Sequence, residues 1–295
     1  MTTLFIIFQY LVTQHLLSRL AGAIAQCSWP WLKNALIKRF IDHYDVNMAE
    51  AVNSDAEDFE HFNAFFTREL KPGARPIVMA ADAIACPADG AISQLGAIEE
   101  GRIFQAKGQS YSALELLGGD SELAAQFDGG QFATVYLSPR DYHRVHMPLT
   151  GTLRSMTYVP GDLFSVNTST AEQVPRLFSR NERAVCLFDT AAGPMAVVLV
   201  GAMIVAGIET PWAGQVAPLK RQINRVDYFA PAGDIVIEKG QEMGRFKLGS
   251  TAIVLFGAGT MQWQDSLTAN SPTRMGELFG QLRCSEDAPS QDSLA

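Results

Sequence analysis

A chain of 295 residues with 47% apolar and 18% charged residues can bury a substantial core, as one large domain or two smaller ones, and is not the composition of a disordered protein. Its formal net charge of −8 argues against a general nucleic-acid binder, and no nucleic-acid-binding pattern stands out. The four cysteines, Cys27, Cys86, Cys186 and Cys284, lie far apart without a CxxC pair or a Cys/His metal spacing, so free thiols are expected rather than a disulfide framework.

The head of the chain differs from its body. Residues 1–41 hold Arg19, Lys33, Lys38 and Arg39 and no acid, so they carry +4 and the remainder carries −12 (−8 − 4). An apolar run from Leu4 to Phe8 is then interrupted by Gln9, Thr13, Gln14, His15, Ser18 and Arg19. A bilayer-spanning helix needs about 20 predominantly apolar residues, which this segment barely offers. Ala23-Ile24-Ala25 has the small residues of a signal-peptide cleavage site, but the basic start of a signal peptide is missing. Helices lying in the membrane interface fit better, with Trp29 and Trp31 as anchors and Lys33, Lys38 and Arg39 directed at lipid phosphates. The competing reading is helices packed on the body of the protein. Phe59, Phe62, Phe65 and Phe66 predict a further helix within 53–70 with a core-facing aromatic stripe, stopped by Lys71-Pro72-Gly73.

From residue 77 onward, short β-like runs are cut by glycine and proline. Strands are predicted at 91–95, 132–137, 151–159, 185–189, 195–208, 235–238 and 251–256. No strand–helix alternation and no glycine-rich phosphate loop is present, which disfavours a doubly wound nucleotide-binding fold. The expected fold class is α+β. A helical membrane-associating region at 1–70 precedes a mainly antiparallel β catalytic domain at 71–284, with a flexible tail at 285–295.

Three short segments carry candidate chemistry. Leu248-Gly249-Ser250-Thr251 has the form of a self-cleavage site. A serine hydroxyl there attacks the carbonyl of the preceding glycine, the peptide becomes an ester, and elimination followed by hydrolysis leaves a pyruvoyl group. Taken alone, Gly-Ser-Thr is also ordinary turn-to-strand chemistry. His143 and His146 follow the predicted strand at 132–137 and sit between Pro139 and Pro148. Their HxxH spacing would suit a metal only on a helix, and no third ligand lies nearby, so proton transfer is the more natural use. Pro87-Ala88-Asp89-Gly90 is a turn by composition, and Asp89 gains interest only as a partner that orients a histidine.

Together these segments resemble the phosphatidylserine decarboxylases of the bacterial membrane-associated type. The matching blocks are Phe65 to Pro76 (FFTRELKPGARP), Pro87 to Gly90 (PADG), Tyr136 to Pro148 (YLSPRDYHRVHMP), Tyr158 to Asn167 (YVPGDLFSVN), Asn181-Glu182-Arg183, and Gly240 to Thr251 (GQEMGRFKLGST). They occur in the family's order and show no departure at the motif positions. The resemblance implies a proenzyme cut between Gly249 and Ser250, with Ser250 becoming the pyruvoyl cofactor and no metal required. It implies that His146 and Asp89 assist the cut, and that His143 supplies the final proton of decarboxylation. The pyruvoyl ketone would form a Schiff base with the amine of phosphatidylserine, and phosphatidylethanolamine and CO2 would be the products. Ser165 and Asn167 are expected to line the headgroup pocket. The expected setting is the cytoplasmic face of the inner membrane, bound peripherally to an anionic surface, with a homodimer plausible and no nucleic-acid partner. The rival readings are a soluble pyruvoyl-dependent amino-acid decarboxylase, a serine hydrolase using Ser250, His146 and Asp89, and a non-catalytic membrane-binding protein.

Overall fold

The computed structural model describes residues 2–204, 207–218, 222–229, 233–247 and 249–283. Leu248, Cys284 and the tail expected at 285–295 lie outside the described residues. Among the described residues the architecture is α+β, with helices first and antiparallel sheets after.

Helix α1 (Thr2–Leu11) and helix α2 (Gln14–Ala25) meet at 91°, and no single helix among the described residues is long and apolar enough to cross a membrane. Helix α3 (Pro30–Tyr44) starts with a proline in its first turn, where the missing N–H costs nothing, and ends at Asp45 in the left-handed conformation. The exposed sides of these helices are apolar, with Leu4, Leu11, Leu20, Trp29 and Trp31 each more than half exposed. Two of the expected lipid-facing cations are used otherwise. The Lys33 ammonium is turned inward and donates to the carbonyls of Ala56 and Glu57, while Lys38 pairs with Glu57 at 3.3 Å. Arg19 and Arg39 remain exposed.

The helix expected within 53–70 is broken into a single 3-10 turn (Ala56–Asp58) and helix α4 (Phe62–Phe66). Two caps restart the backbone there: Asp55 accepts the N–H of Glu57 and His61 accepts that of Ala64. The aromatic stripe does face inward, and Phe59, Phe62, Phe65 and Phe66 form the heart of the small core under α3.

The main sheet has nine strands. In spatial order they are Asn224–Asp227, Gly151–Val159, Arg183–Thr190, Gly193–Val200, Ser250–Phe256, Gln131–Leu137, Gly90–Ala97 and Pro272–Thr273, with Val236–Ile237 also pairing on Gly151–Val159. The predicted strand at 195–208 is two strands. Pairing in the main sheet stops at Val200, and Gly207–Thr210 belongs to a second sheet. Composition hid the break because the run stays apolar while its partners change. The second sheet has the order Gly214–Ala217, Gly207–Thr210, Glu242–Lys247, Arg144–His146.

Strand Ser250–Phe256 is buried at every position. Successive side chains of a strand point to opposite faces. Ala252, Val254 and Phe256 accordingly join one core, and Ile253 and Leu255 join the other. The first core also contains Val145, Ile208, Val216, Met243 and Phe246 from the second sheet and its surroundings. Alternation therefore directs Ser250 toward the face that the second sheet covers. The link between the two sheets at this point is Leu248-Gly249, between the end of Glu242–Lys247 and the start of Ser250–Phe256.

Strand polarity collects one end of the main sheet into a row. Pro160 follows the end of Gly151–Val159, Glu182 precedes Arg183–Thr190, and Gly201 follows Val200. Gly249, Ser138 and Asp89 continue the row across the next three strands. Gly90 permits the tight approach of the last two: a Cβ there would lie 2.1 Å from the carbonyl oxygen of Tyr136. Gly90→Ala should therefore destabilise the protein by roughly 2 kcal/mol or more through overpacking. A thermal melt checks this, and an unchanged midpoint would show that the close approach is not required.

Candidate active site

Ser250 is fully buried, and its hydroxyl has no hydrogen-bond partner among the described residues. Buried hydroxyls usually find a partner, but that of Thr251 next to it is orphaned too, so the position is marked by the glycine that precedes Ser250 as well as by the missing bond. The residue before it, Gly249, has φ +64°, and a Cβ there would meet nothing within 4 Å. A glycine holds that left-handed conformation without steric cost. The Gly249–Ser250 peptide thus lies where the backbone turns from one sheet into the other, beside open space.

His143 and His146 come from the segment that enters the second sheet. Its strand Arg144–His146 pairs with Glu242–Lys247, placing His146 opposite Glu242. Residues three apart on extended chain face opposite ways, so the two imidazoles have separate surroundings. His146 is half-buried. Its Nδ1 lies 2.8 Å from the Gly240 carbonyl, which can only accept, so Nδ1 carries the hydrogen. Its Nε2 is then the acceptor for the Tyr142 hydroxyl at 3.1 Å. Burial lowers its pKa, and the Asp89 charge acts weakly in the opposite direction. His143 is fully buried, with its ring 3.9 Å from that of Phe66 and its carbonyl accepting the N–H of Phe246. Its Nδ1 donates to the Asp141 carbonyl at 2.9 Å, leaving Nε2 as a bare, buried lone pair. Burial, aided by the nearby Arg68 cation, pushes its pKa down to about 3.

Asp89 is buried and gripped by Arg75. The Arg75 Nε lies 2.9 and 3.0 Å from its two oxygens, and Nη2 lies 2.5 Å from Oδ2. It also accepts the backbone N–H of Met275 at 2.8 Å. The same Arg75 binds Glu50 at 2.8 Å, and the two carboxylates raise its pKa further. Asp89 is tied to His146 through the backbone, because the His146 N–H donates to the Pro87 carbonyl at 2.8 Å. No hydrogen bond joins the side chains of Asp89, His146 and Ser250 among the described residues. The tautomer of His146 is fixed by Gly240, and Asp89 reaches it only as a charge.

Ser165 and Asn167 lie on a different loop of the same sheet end. The Ser165 backbone N–H donates to Gln9 on α1, and the Asn167 side chain caps the short helix Thr168–Ala171 by accepting the N–H of Thr170. Buried Asn181 ties this loop to the row by donating to the carbonyls of Phe164 and Gly201. Gly201 stands next to Val200, the partner of Thr251.

The family model described as "Phosphatidylserine decarboxylase" matches residues 62–281, and one described as "PSD" matches residues 4–45. The chain belongs to the phosphatidylserine decarboxylase family. It is accordingly an enzyme, a carboxy-lyase. A protein of Pseudomonas entomophila (strain L48) called "Phosphatidylserine decarboxylase proenzyme" is 67% identical over 277 residues, covering 94% of this chain and 96% of that protein. Proteins of the same name from Ectopseudomonas mendocina (strain ymp) and Pseudomonas aeruginosa (strain PAO1) are each 66% identical, covering 94% of this chain and 97% and 96% of theirs.

For a member of this family the neutral state of both histidines is the main electrostatic feature. Burial sets it, with Arg68 acting in the same direction on His143 and the Gly240 carbonyl acting against it on His146. Sequence reading missed these neighbours and Tyr142, along with Arg75 beneath Asp89. Each stands in a block that drew attention, but nothing in the blocks says which side chain holds which. The depressed pKa of His143 also has a stability consequence. Between its unfolded value near 6.5 and its folded value of about 3, the unfolded chain binds the proton more readily. Stability is therefore full above pH 6.5 and falls as pH drops through that window. From pH 7 to pH 5 this one group should cost about 2 kcal/mol, and His143→Gln should lose correspondingly less over the same range. Urea unfolding midpoints of the two proteins at both pH values check this. Parallel losses would mean that His143 is not held neutral.

Proposed function

We propose that the chain is a self-processing, pyruvoyl-dependent decarboxylase that converts phosphatidylserine to phosphatidylethanolamine and CO2 at the membrane surface. The observation that carries this reading is the orphaned, fully buried Ser250 hydroxyl placed directly after Gly249 at the junction of the two sheets. The residues present fit a group formed there. Cleavage needs a serine oxygen free of other bonds, a glycine able to hold a strained turn, and open space beside the peptide, and all three are found together.

In the first reaction the Ser250 oxygen bonds to the Gly249 carbonyl carbon and the Gly249–Ser250 C–N bond breaks. His146 moves the proton: its Nε2 is the free lone pair once the Tyr142 hydroxyl turns away, and it returns the proton to the departing amine. Asp89, held by Arg75, stabilises the imidazolium that forms by charge rather than by contact. Elimination across the ester and hydrolysis then release ammonia and leave the pyruvoyl group. The role of His146 follows from the motif rather than from alternation, which turns Val145 toward the core that Ser250 faces and His146 to the other side of its strand.

When formed, the pyruvoyl group supplies an electron sink for loss of the carboxylate. His143 is the proton carrier of the second reaction. Because it starts neutral, its Nε2 must take a proton before it can give one, and the ammonium of the substrate is the source. The proton then goes to the carbon that has lost CO2. The apolar exposed faces of α1, α2 and α3 hold the enzyme peripherally on the cytoplasmic leaflet, and Ser165 faces the headgroup. Large and small chains stay together, as the description of relatives as proenzymes suggests.

Ser250→Ala, His146→Ala and Asp89→Ala should each give a single uncut chain on a denaturing gel. His143→Ala should be cut normally yet decarboxylate phosphatidylserine at least about 100-fold more slowly. Normal cutting of the first three variants, or full activity of the fourth, would remove the corresponding role.

A further inference from the structure

Two adjoining cavities, of about 380 and 500 Å³, open between α2 and the row at the end of the main sheet. They share His15, Arg19, Glu182 and Pro218 in their walls. Their combined size is that of small-molecule sites. Lys247, which precedes the Leu248-Gly249 link, lines the first of them. Glu182 lies beside Gly201, whose N–H it receives, and Gly201 stands one strand from Ser250. At the usual strand spacing Glu182 is about 10 Å from Ser250, two strands away.

The walls are built, not incidental. Helix α2 is seated by three polar contacts from its inner side. Gln14 accepts the N–H of Leu163 at 2.6 Å, His15 Nε2 donates to the Gly161 carbonyl at 3.0 Å, and Ser18 accepts the N–H of Ile204 at 3.1 Å. The outer side of the same helix exposes Leu16, Leu20 and Ile24. Arg19 thus sits at the boundary between an apolar outer surface and a polar cavity.

Charge separates Arg19 from its neighbours. Lys247 is paired with Glu209, and Arg180 behind the second cavity is paired with Asp162 at 2.9 Å. Glu182 is buried and receives the Tyr158 hydroxyl. Arg19 alone among these cations makes no ion pair or hydrogen bond with any described residue. A guanidinium is a planar fork of donors suited to two oxygens of a phosphate.

We propose that the cavity beneath α2 is the phosphodiester subsite of the substrate and that Arg19 is the residue that binds the phosphate oxygens. The proposal rests on the decarboxylase reading above. It places the acyl chains along the apolar side of α2 and the serine end toward Gly201 and Ser250. Glu182 on the cavity wall, whose pKa burial raises, is the acid that faces the serine ammonium. Discrimination is then against amino acids that lack a phosphodiester, which would leave Arg19 unengaged.

The test uses the full-length processed enzyme and dihexanoyl phosphatidylserine below its micelle concentration, so that no membrane is present. Arg19→Ala should raise KM about tenfold, leave kcat within about twofold, and leave the cut after Gly249 intact; Arg19→Lys should recover part of the loss. Glycerophosphoethanolamine, a soluble product analogue, should bind the wild-type enzyme about ten times more tightly than Arg19→Ala by calorimetry, a reading independent of turnover. Equal KM and equal analogue binding would overturn the proposal. So would a loss confined to liposomes, which would assign Arg19 to membrane attraction, or an uncut chain in both variants, which would assign it a structural role. Release of CO2 from phosphatidylserine by the wild-type enzyme tests the decarboxylase reading separately, whatever the variants do.

Discussion

Strand Ser250–Phe256 is buried at every residue and hydrogen-bonded along both edges, to Gln131–Leu137 and to Gly193–Val200. It is the centre of the main sheet, yet it is entered from the second sheet through two residues, Leu248 and Gly249. That constraint organises the rest. A chain cut there loses a covalent link but no buried contact. Ile253, Val254, Leu255 and Phe256 alone contribute roughly 6–12 kcal/mol of apolar burial before entropy is counted. A small chain beginning at Ser250 can remain in place because it supplies the middle strand of the sheet that holds it.

The electrostatics around this junction favour uncharged histidines and fixed carboxylates. His143 is packed against Phe66 and kept neutral by burial. His146 is held by Gly240 and Tyr142. Asp89 is clamped by Arg75, so its negative charge is fixed in position and balanced. A proton taken by either imidazole is therefore held at an energetic disadvantage and readily passed on, which suits groups that must both take and return a proton. The helices complete the arrangement. Gln9 and Gln14 reach from α1 and α2 into the loop at Leu163 and Ser165, so the apolar outer surface and the sheet end are mechanically one unit.

Much of this was legible in the sequence, and the exceptions have physical causes. Six of the seven predicted strands appear with bounds that match or differ by one or two residues, because β-branched runs between glycines are local signals. The run at 195–208 misled because apolarity is blind to a change of partner sheet after Val200. The helix expected at 53–70 is cut down to a 3-10 turn and Phe62–Phe66 because Asp55 and His61 act as caps that restart the backbone. Lys33 reads as a surface cation, yet its ammonium finds carbonyls inside. Ser250, His143, His146 and Asp89 were all named from motifs. What no motif could state is that Asp89 is bound to Arg75 rather than to His146, or that α2 roofs a cavity walled by Glu182 and Lys247. Those facts belong to contacts across more than ten residues of chain.

The account turns on whether the Gly249–Ser250 bond is the one that breaks and on what it leaves behind. An intact mass spectrum of the denatured, purified protein decides this directly. The account predicts two chains separated after Gly249, the smaller one lighter by a single ammonia than residues 250–295 require. A single chain of full mass from an otherwise active preparation, or a small chain that keeps its serine, would contradict it.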